Sequence, residues 1–341
     1  RQRQMCIRDR LWSKQLGSAG KEEGVSGAVD GDGNIYLLTL TEGDWFGKNL
    51  GSRDIVLLKL SSSGEILWGK RIGTVEDEFL GAIAVDESNH VYITGETRGS
   101  LFGKYRGEKW GEYEGFLAKF DFNGNLIWGK QFTEGEFLEA IAVDGQSNIY
   151  VAGTTVDEAT NEVVTFLAKF NPDGNLVWRR LFPPTAEEIT LLTSIKVDGS
   201  GNIYGAGYVA VYVDEQGLVY IPDAFVGKYS GDNGQEIWSK RFKSQEEGEI
   251  GKIEEKFRDV AVDGQGYVYV VGFAEGSLFG NHLGAWDIIL AKFDGQGNML
   301  WGRQWGSAKG EAGIAIAVDG QGNIYVAGGR EWSIFIDKFK Q

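Results

Sequence analysis

Cysteine is almost absent: Cys6 is the single one in 341 residues. One thiol excludes an intramolecular disulfide and a cysteine-ligated metal centre. Proline occurs only 4 times, so the chain is neither collagen-like nor a proline-rich linker. Histidine is restricted to His90 and His282, with no metal-ligand spacing around either. No apolar run approaches the ~18 residues that a membrane helix needs, which argues against membrane insertion. Basic charge is short: 34 Lys and Arg stand against 49 Asp and Glu, for a net charge of −15. That sign disfavours nucleic acid and anionic membranes, which attract basic surfaces. No stretch holds a helical period over roughly 11 residues, so no substantial helix is expected. Neither a phosphate-binding GxxxxGK[ST] loop nor a nucleophile elbow is present, and no catalytic residue is assigned.

Glycine and aromatics are abundant instead. Gly contributes 51 residues, and the 13% aromatic and 42% hydrophobic shares are ample for a large core. These residues recur. Trp stands at Trp12, Trp68, Trp128, Trp178, Trp238 and Trp301, at spacings of 56, 60, 50, 60 and 63. An Asp preceded by Val recurs at Asp30, Asp86, Asp144, Asp198, Asp263 and Asp319. A Tyr follows six residues later at Tyr36, Tyr92, Tyr150, Tyr204, Tyr269 and Tyr325. Lys recurs at Lys59, Lys119, Lys169, Lys228, Lys292 and Lys338. Repeats of this length signal a repeat architecture.

Each unit reads as four short strands, a to d. In the second they are Leu80–Val85, Val91–Thr94, Phe116–Phe120 and Leu126–Phe132, separated by turns at Asp86–His90 and Asp121–Asn125 and by a long b–c loop. Gly- and Asn-rich turns between apolar alternating segments fit antiparallel hairpins. The expected fold is all-β: a six-bladed β-propeller with four antiparallel strands per blade. The chain opens with a lone d strand, Leu11–Leu16, and ends with a, b and c at Ile334–Phe339. The N-terminal strand is therefore expected to close the last blade, which would remove exposed edges. Residues 11–341 would form one domain. The opening segment 1–10 matches nothing later and resembles adaptor read-through from metagenomic assemblies, so it is expected to be a non-native or disordered leader.

The phrases VDGQGNIYVAG (318–328) and FLAKFDFNGNLIWGKQF (116–132) resemble the bacterial β-propeller repeat family SBBP. The resemblance spans nearly all of residues 11–341 and implies a secreted or surface, extracytoplasmic bacterial protein. The phrase DGNLVW (173–178) also resembles the repeats of quinone-dependent alcohol dehydrogenases. Those enzymes use a vicinal cysteine pair, absent here, so that activity does not carry over.

The recurring charges have a structural reading and a functional one. Cations stand two residues after each Trp, at Lys14, Lys70, Lys130, Arg180, Lys240 and Arg303. Together with the Lys and Asp columns they are expected to form in-blade ion pairs, or Lys-over-Trp cation–π contacts. Eight residues before each Asp stand Glu22, Glu78, Glu136, Thr190, Glu255 and Glu311. In a propeller the five Glu would line one mouth of the channel as an acidic ring. Such a ring would bind Ca²⁺ or a basic peptide; otherwise each Glu pairs with a neighbouring cation. Lys196 and Asp259 break their columns and are expected to pair between blades. His90 and the Asp30–Asn34 segment read as turns.

The b–c loops, near 42–53, 97–114, 155–165, 208–222 and 274–286, are long and unlike one another. Trp45, Trp110, Trp286 and Trp332 lie in or near them. Variable loops on a rigid scaffold commonly carry binding, and Trp and Tyr anchor glycans or peptides. Trp110, Tyr113, Tyr212 and Trp332 are the expected ligand contacts. The expected function is a non-enzymatic binding or scaffold module contacting glycan or protein; the alternative is a Ca²⁺-assisted lyase or hydrolase with its acids at the channel mouth. The calcium reading predicts a rise in melting temperature on adding Ca²⁺, removed by EDTA and by Glu78→Gln combined with Glu136→Gln.

Overall fold

The computed structural model describes residues 12–107, 113–132, 136–157, 159–185, 188–211, 222–244, 254–330 and 333–340. They hold 23 strands and no helix, in six antiparallel meanders of the propeller-blade type. Sheet 1 is β1 (Glu22–Val29), β2 (Ile35–Thr41), β3 (Asp54–Leu60) and β4 (Ile66–Ile72). Sheet 2 is β5 (Glu78–Val85), β6 (Val91–Thr97), β7 (Glu114–Phe120) and β8 (Leu126–Phe132). Sheet 3 is β9 (Phe137–Val143), β10 (Ile149–Val156), β11 (Val163–Phe170) and β12 (Leu176–Phe182). Sheet 4 is β13 (Glu188–Val197), β14 (Ile203–Val211), β15 (Asp223–Tyr229) and β16 (Glu236–Phe242). Sheet 5 is β17 (Glu255–Val262), β18 (Val268–Ala274), β19 (Asp287–Phe293) and β20 (Met299–Trp305). Sheet 6 is β21 (Glu311–Val318), β22 (Ile324–Arg330) and β23 (Ser333–Phe339).

The sixth sheet thus has three strands, and residues 12–18 lie in none. That segment keeps one feature of a d strand, its hold on sheet 1. Trp12 Nε1 donates to the Ser62 carbonyl at 2.9 Å, and Lys14 lies 3.4 Å from Glu65. The chain forms two compact units, Arg1–Leu138 and Glu139–Gln341. In the first, sheets 1 and 2 share a core of Leu38, Ile55, Leu57, Ile93 and Phe116. In the second, apolar clusters join sheets 3 and 4, then 4 and 5, then 5 and 6. The middle strands β18 and β19 are buried on both faces, as a strand between two covered sides must be.

One constellation repeats in all six sheets and explains three of the recurring columns. The Asp ending strand a accepts backbone N–H groups two and four residues on, which closes the a–b turn. The Tyr of strand b donates its hydroxyl to the same carboxylate at 2.9–3.2 Å. The Lys of strand c lies over that Tyr ring, 4.8–5.1 Å from its centroid. The cation–π partner is therefore the strand-b Tyr, not the expected Trp, although the Lys stands opposite Tyr on one side in every sheet and opposite Trp on the other in sheets 1 to 5. Arg303 over Trp301 is a separate Trp contact. His90 sits in the turn as expected, its Nδ1 3.0 Å from Asp86.

Trp has a different task. Trp68 Nε1 donates to the Phe122 carbonyl, Trp178 to Gly231 and Trp238 to Gly295, each on the c–d turn of the following sheet. The indole then covers a turn glycine with positive φ: Trp12 over Gly64, Trp68 over Gly124, Trp178 over Gly234 and Trp238 over Gly297. A Cβ there would meet the indole, and the backbone disfavours one as well. Tyr92→Phe removes the hydroxyl from the buried Asp86 carboxylate. It should lower stability by about 1–3 kcal/mol, read by urea denaturation.

Candidate functional site

The five glutamates of the proposed ring stand at or just before the start of strand a. Glu78, Glu136, Glu255 and Glu311 are buried, and Glu22 is partly covered. Each of the four with a described bond set holds the d–a loop behind it. Glu22 accepts from Ser18 N and Oγ, Glu78 from Thr74 N and Oγ1, Glu255 from Ser244 N, and Glu311 from Ser307 N and Oγ. Thr41 and Thr97 add a hydroxyl to Glu22 and Glu78, and Arg330 Nε lies 3.0 Å from Glu311. Burial, together with the nearby charge of Asp54, outweighs the threonine donors and pushes Glu78 up to about 6. Burial likewise raises Glu255. These carboxylates are loop clamps. Among the described residues no three His, Cys, Asp or Glu side chains converge as a metal site requires.

A second acid enters at strand c and was missed in the sequence. Asp54, Glu114, Asp223 and Asp287 open β3, β7, β15 and β19 and are buried. Strand d supplies their partners. Arg71 donates to Asp54 and to the Gly43 and Trp45 carbonyls, and Arg241 donates to Asp223. Gln131 bridges Glu114 to the Gly99 carbonyl and accepts from Leu101 and Phe102 N; Gln304 does the same for Asp287, Gly276, Leu278 and Phe279. The phrase SLFG stands at both Ser100–Gly103 and Ser277–Gly280; its backbone is tied to a strand-d Gln and its Phe lies against a strand-d Gly, Gly129 or Gly302. These strand-d partners stand three residues after Trp68, Trp128, Trp238 and Trp301.

Above these clamps the second sheet carries a cleft of about 830 Å³. Gly73, Thr74, Val75 and Glu76 wall one side, and Arg98, Gly99, Ser100 and Tyr105 the other. Tyr113, expected as a ligand contact, is joined to this lining through Arg98. The Arg98 guanidinium covers its ring at 4.2 Å, and the ring meets Phe79 edge-on at 4.7 Å. Arg53 caps Phe79 at 4.1 Å, and Arg53 and Arg98 both lie 3.9 Å from Asp77. The result is a half-exposed stack of two cations and two rings tied by one carboxylate. Trp286 stands in the same place on sheet 5, six residues before the column Lys. It packs on Phe273 and donates to Glu275. The other three expected contacts, Trp110, Tyr212 and Trp332, lie outside the described residues.

The expected Lys196–Asp259 pair gives way to a different link. Asp259 accepts from Ser194 Oγ at 2.6 Å and from Ile316 N at 2.9 Å, which joins the inner strands β13, β17 and β21. The aspartate reaches a hydroxyl and a backbone amide directly, so no cation is required; Lys196 is exposed. The Asp30–Asn34 segment is a turn: Asp30 Oδ1 accepts from Asp32 N and Asn34 N. Gly73→Ala tests the cleft wall. Its Cβ would collide with the Asp54 carboxylate and should cost about 1–3 kcal/mol in thermal or urea unfolding. Gly31→Ala meets nothing within 4 Å and should stay within about 0.5 kcal/mol.

A repeat-family model described as outer membrane protein assembly factor BamB matches residues 52–289. None of the curated proteins matches the chain. Among solved structures, a polysaccharide lyase of the PL25 ulvan lyase family has a TM-score of 0.59 at 13% identity, covering 96% of this chain and 80% of that one. A protein of unknown function from Dyadobacter fermentans has a TM-score of 0.56 at 9% identity, with 94% of each chain covered. The polysaccharide lyase Uly1 has a TM-score of 0.51 at 10% identity, with 99% and 85% covered. At these identities the likeness is one of fold. The family match spans well over half of the residues, and the chain belongs to the β-propeller repeat family described as outer membrane protein assembly factor BamB.

Proposed function

We propose that this chain is a non-enzymatic binding or scaffold module of a bacterial surface or secreted protein, and that it takes glycan or protein on its b–c loop face. The observation that carries the reading is the cleft beside sheet 2, where Tyr105, Ser100 and Glu76 line an open recess together with Arg98, which lies over the Tyr113 ring. Flat rings beside hydrogen-bonding groups suit a sugar ring or a peptide side chain. The buried Glu78 below the recess is bonded to the d–a loop through Thr74 N and Oγ1. Trp110, Tyr212 and Trp332 remain proposed contacts on sequence grounds. The SBBP-like phrases and the outer-membrane description of the family support an extracytoplasmic setting.

The second reading, a Ca²⁺-assisted lyase or hydrolase, draws on the fold shared with polysaccharide lyases. One experiment separates the two. The intact chain is screened against glycans and peptides, and its hits are incubated with and without Ca²⁺ while unsaturated or reducing ends are measured. The binding reading expects saturable binding, no new ends, and at least tenfold weaker binding for Tyr105→Ala or Trp110→Ala with melting temperature unchanged. Turnover of any hit would overturn it, as would binding that neither substitution weakens.

A further inference from the structure

Three b–c loops are copies of one another, and only the middle copy is basic. Residues 41–51, 97–107 and 274–284 read TEGDWFGKNLG, TRGSLFGKYRG and AEGSLFGNHLG. The same bonds hold their backbones. Glu42 N, Arg98 N and Glu275 N donate to the carbonyls of Lys21, Asp77 and Glu254, each the residue before strand a. Asn49 N, Tyr105 N and His282 N donate to the side chains of Asp44, Ser100 and Ser277 at 2.8–3.1 Å. Leu50 N, Arg106 N and Leu283 N donate at 2.8 Å to Asp54, Glu114 and Asp287, the acids that open strand c. Phe46, Phe102 and Phe279 lie against Gly69, Gly129 and Gly302 of strand d. None of these contacts uses the side chain at the second, eighth, ninth or tenth position of the loop.

Those positions are where the copies part. The second is Glu42 in sheet 1 and Glu275 in sheet 5, but Arg98 in sheet 2. The tenth is Leu50 and Leu283, but Arg106. The eighth is Lys48, Lys104 and Asn281, and the ninth is Asn49, Tyr105 and His282. Residues 97–107 thus hold three cations and no acid in a chain of net charge −15, while each sister stretch has more acids than bases. Lys104 and Arg106 are exposed on either side of Tyr105 in sequence, and Arg98 and Tyr105 both line the cleft. The backbone already meets the needs of the loop, so the reversed charge answers to a contact outside it. Resting on the binding reading of this cleft, we propose that its ligand is an acidic glycan. A uronate carboxylate is taken by Arg98, Lys104 and Arg106, and the sugar ring lies on Tyr105. A guanidinium stacked over a ring, as Arg98 is over Tyr113, keeps its in-plane N–H groups for a carboxylate. The Tyr105 ring is set in advance: it lies against Gly107, where φ is +58° and a Cβ would meet the ring at 2.8 Å. Ser100 Oγ accepts from Tyr105 N, which leaves its O–H to donate. Glu76 in the same lining accepts from hydroxyls. A uronate carries hydroxyl donors beside its anion, whereas the side chains of an acidic peptide bring the anion without them.

Calorimetric titration of the full chain with hexagalacturonate, its methyl ester and a hexaglutamate peptide, at one ionic strength, tests the assignment. The wild type should bind the acid about tenfold or more tighter than the ester, and tighter than the peptide. Lys104→Asn combined with Arg106→Leu installs the residues that sheet 5 carries on the same backbone. It should remove most of the preference for the acid, leave affinity for the ester unchanged, and keep the melting temperature within about 2 °C. Arg98→Gln should lower the preference from the cleft wall; should it fail to fold, the double variant decides. Three results would overturn the acidic glycan and still leave a binding module: equal affinity for acid and ester, a preference that survives the double variant, or tighter binding of hexaglutamate. No binding of hexagalacturonate would overturn it as well, and the wider screen of glycans and peptides then shows whether the binding reading falls with it.

Discussion

A carboxylate at the end of each inner strand, buried at Asp30 and Asp86 and partly covered in the other four sheets, sets the terms for the whole blade. Left alone it would cost several kcal/mol. The blade resolves this with three kinds of donor: the backbone of its own turn, the Tyr hydroxyl of strand b, and the Lys of strand c across that ring. One acid thereby fixes the a–b turn, the a–b register and the position of strand c. Turn and tyrosine donors outweigh burial and hold Asp30 and Asp198 below the usual carboxylate range, while burial and the adjacent acid push the Tyr36 and Tyr204 phenols up. The acid stays ionised and the phenol stays a donor, which is the combination the tie needs.

The joints between blades follow a different rule. Apolar contact supplies most of the burial, and it is non-directional. Direction comes from a few polar links placed at both ends of the strands. At the c–d turns, an indole N–H from the preceding blade reaches a turn carbonyl. At the inner strands of the second unit, Asp259 takes a hydroxyl from one neighbour and an amide from the other. On the loop face, acid clamps fasten the d–a and b–c connections separately, so long loops of unlike sequence rest on the same foundations.

Much of the fold was legible because its constraints act at fixed sequence offsets. The Asp, Tyr, Lys and Trp columns each fill the same slot in every repeat, and the strands of the second repeat, β5 to β8, lie within a few residues of their expected bounds. What the columns do was harder to read, since the partner is set by register and not by proximity along the chain. Lys59 faces Tyr36 on one side and Trp68 on the other, and it is the Tyr36 ring that it covers. The Glu column suggested a shared ring, but a local signal pointed elsewhere: Ser18, Thr74 and Ser307 each stand four residues before their Glu, the spacing of a loop clamp. The site was least legible. Tyr113 was picked out as an exposed anchor, whereas its ring lies between Arg98 and Phe79, and Arg53 and Asp77 belong to no column. Groups specific to one blade leave no periodic trace.

The indole joint has an evolutionary corollary. The first five sheets each carry both halves, a strand-d tryptophan and a positive-φ glycine in the c–d turn. A duplicated or deleted unit therefore meets its new neighbours with complementary parts already in place. Selection can alter the number of units by recombination without inventing a single contact, while the loops of each copy diverge independently.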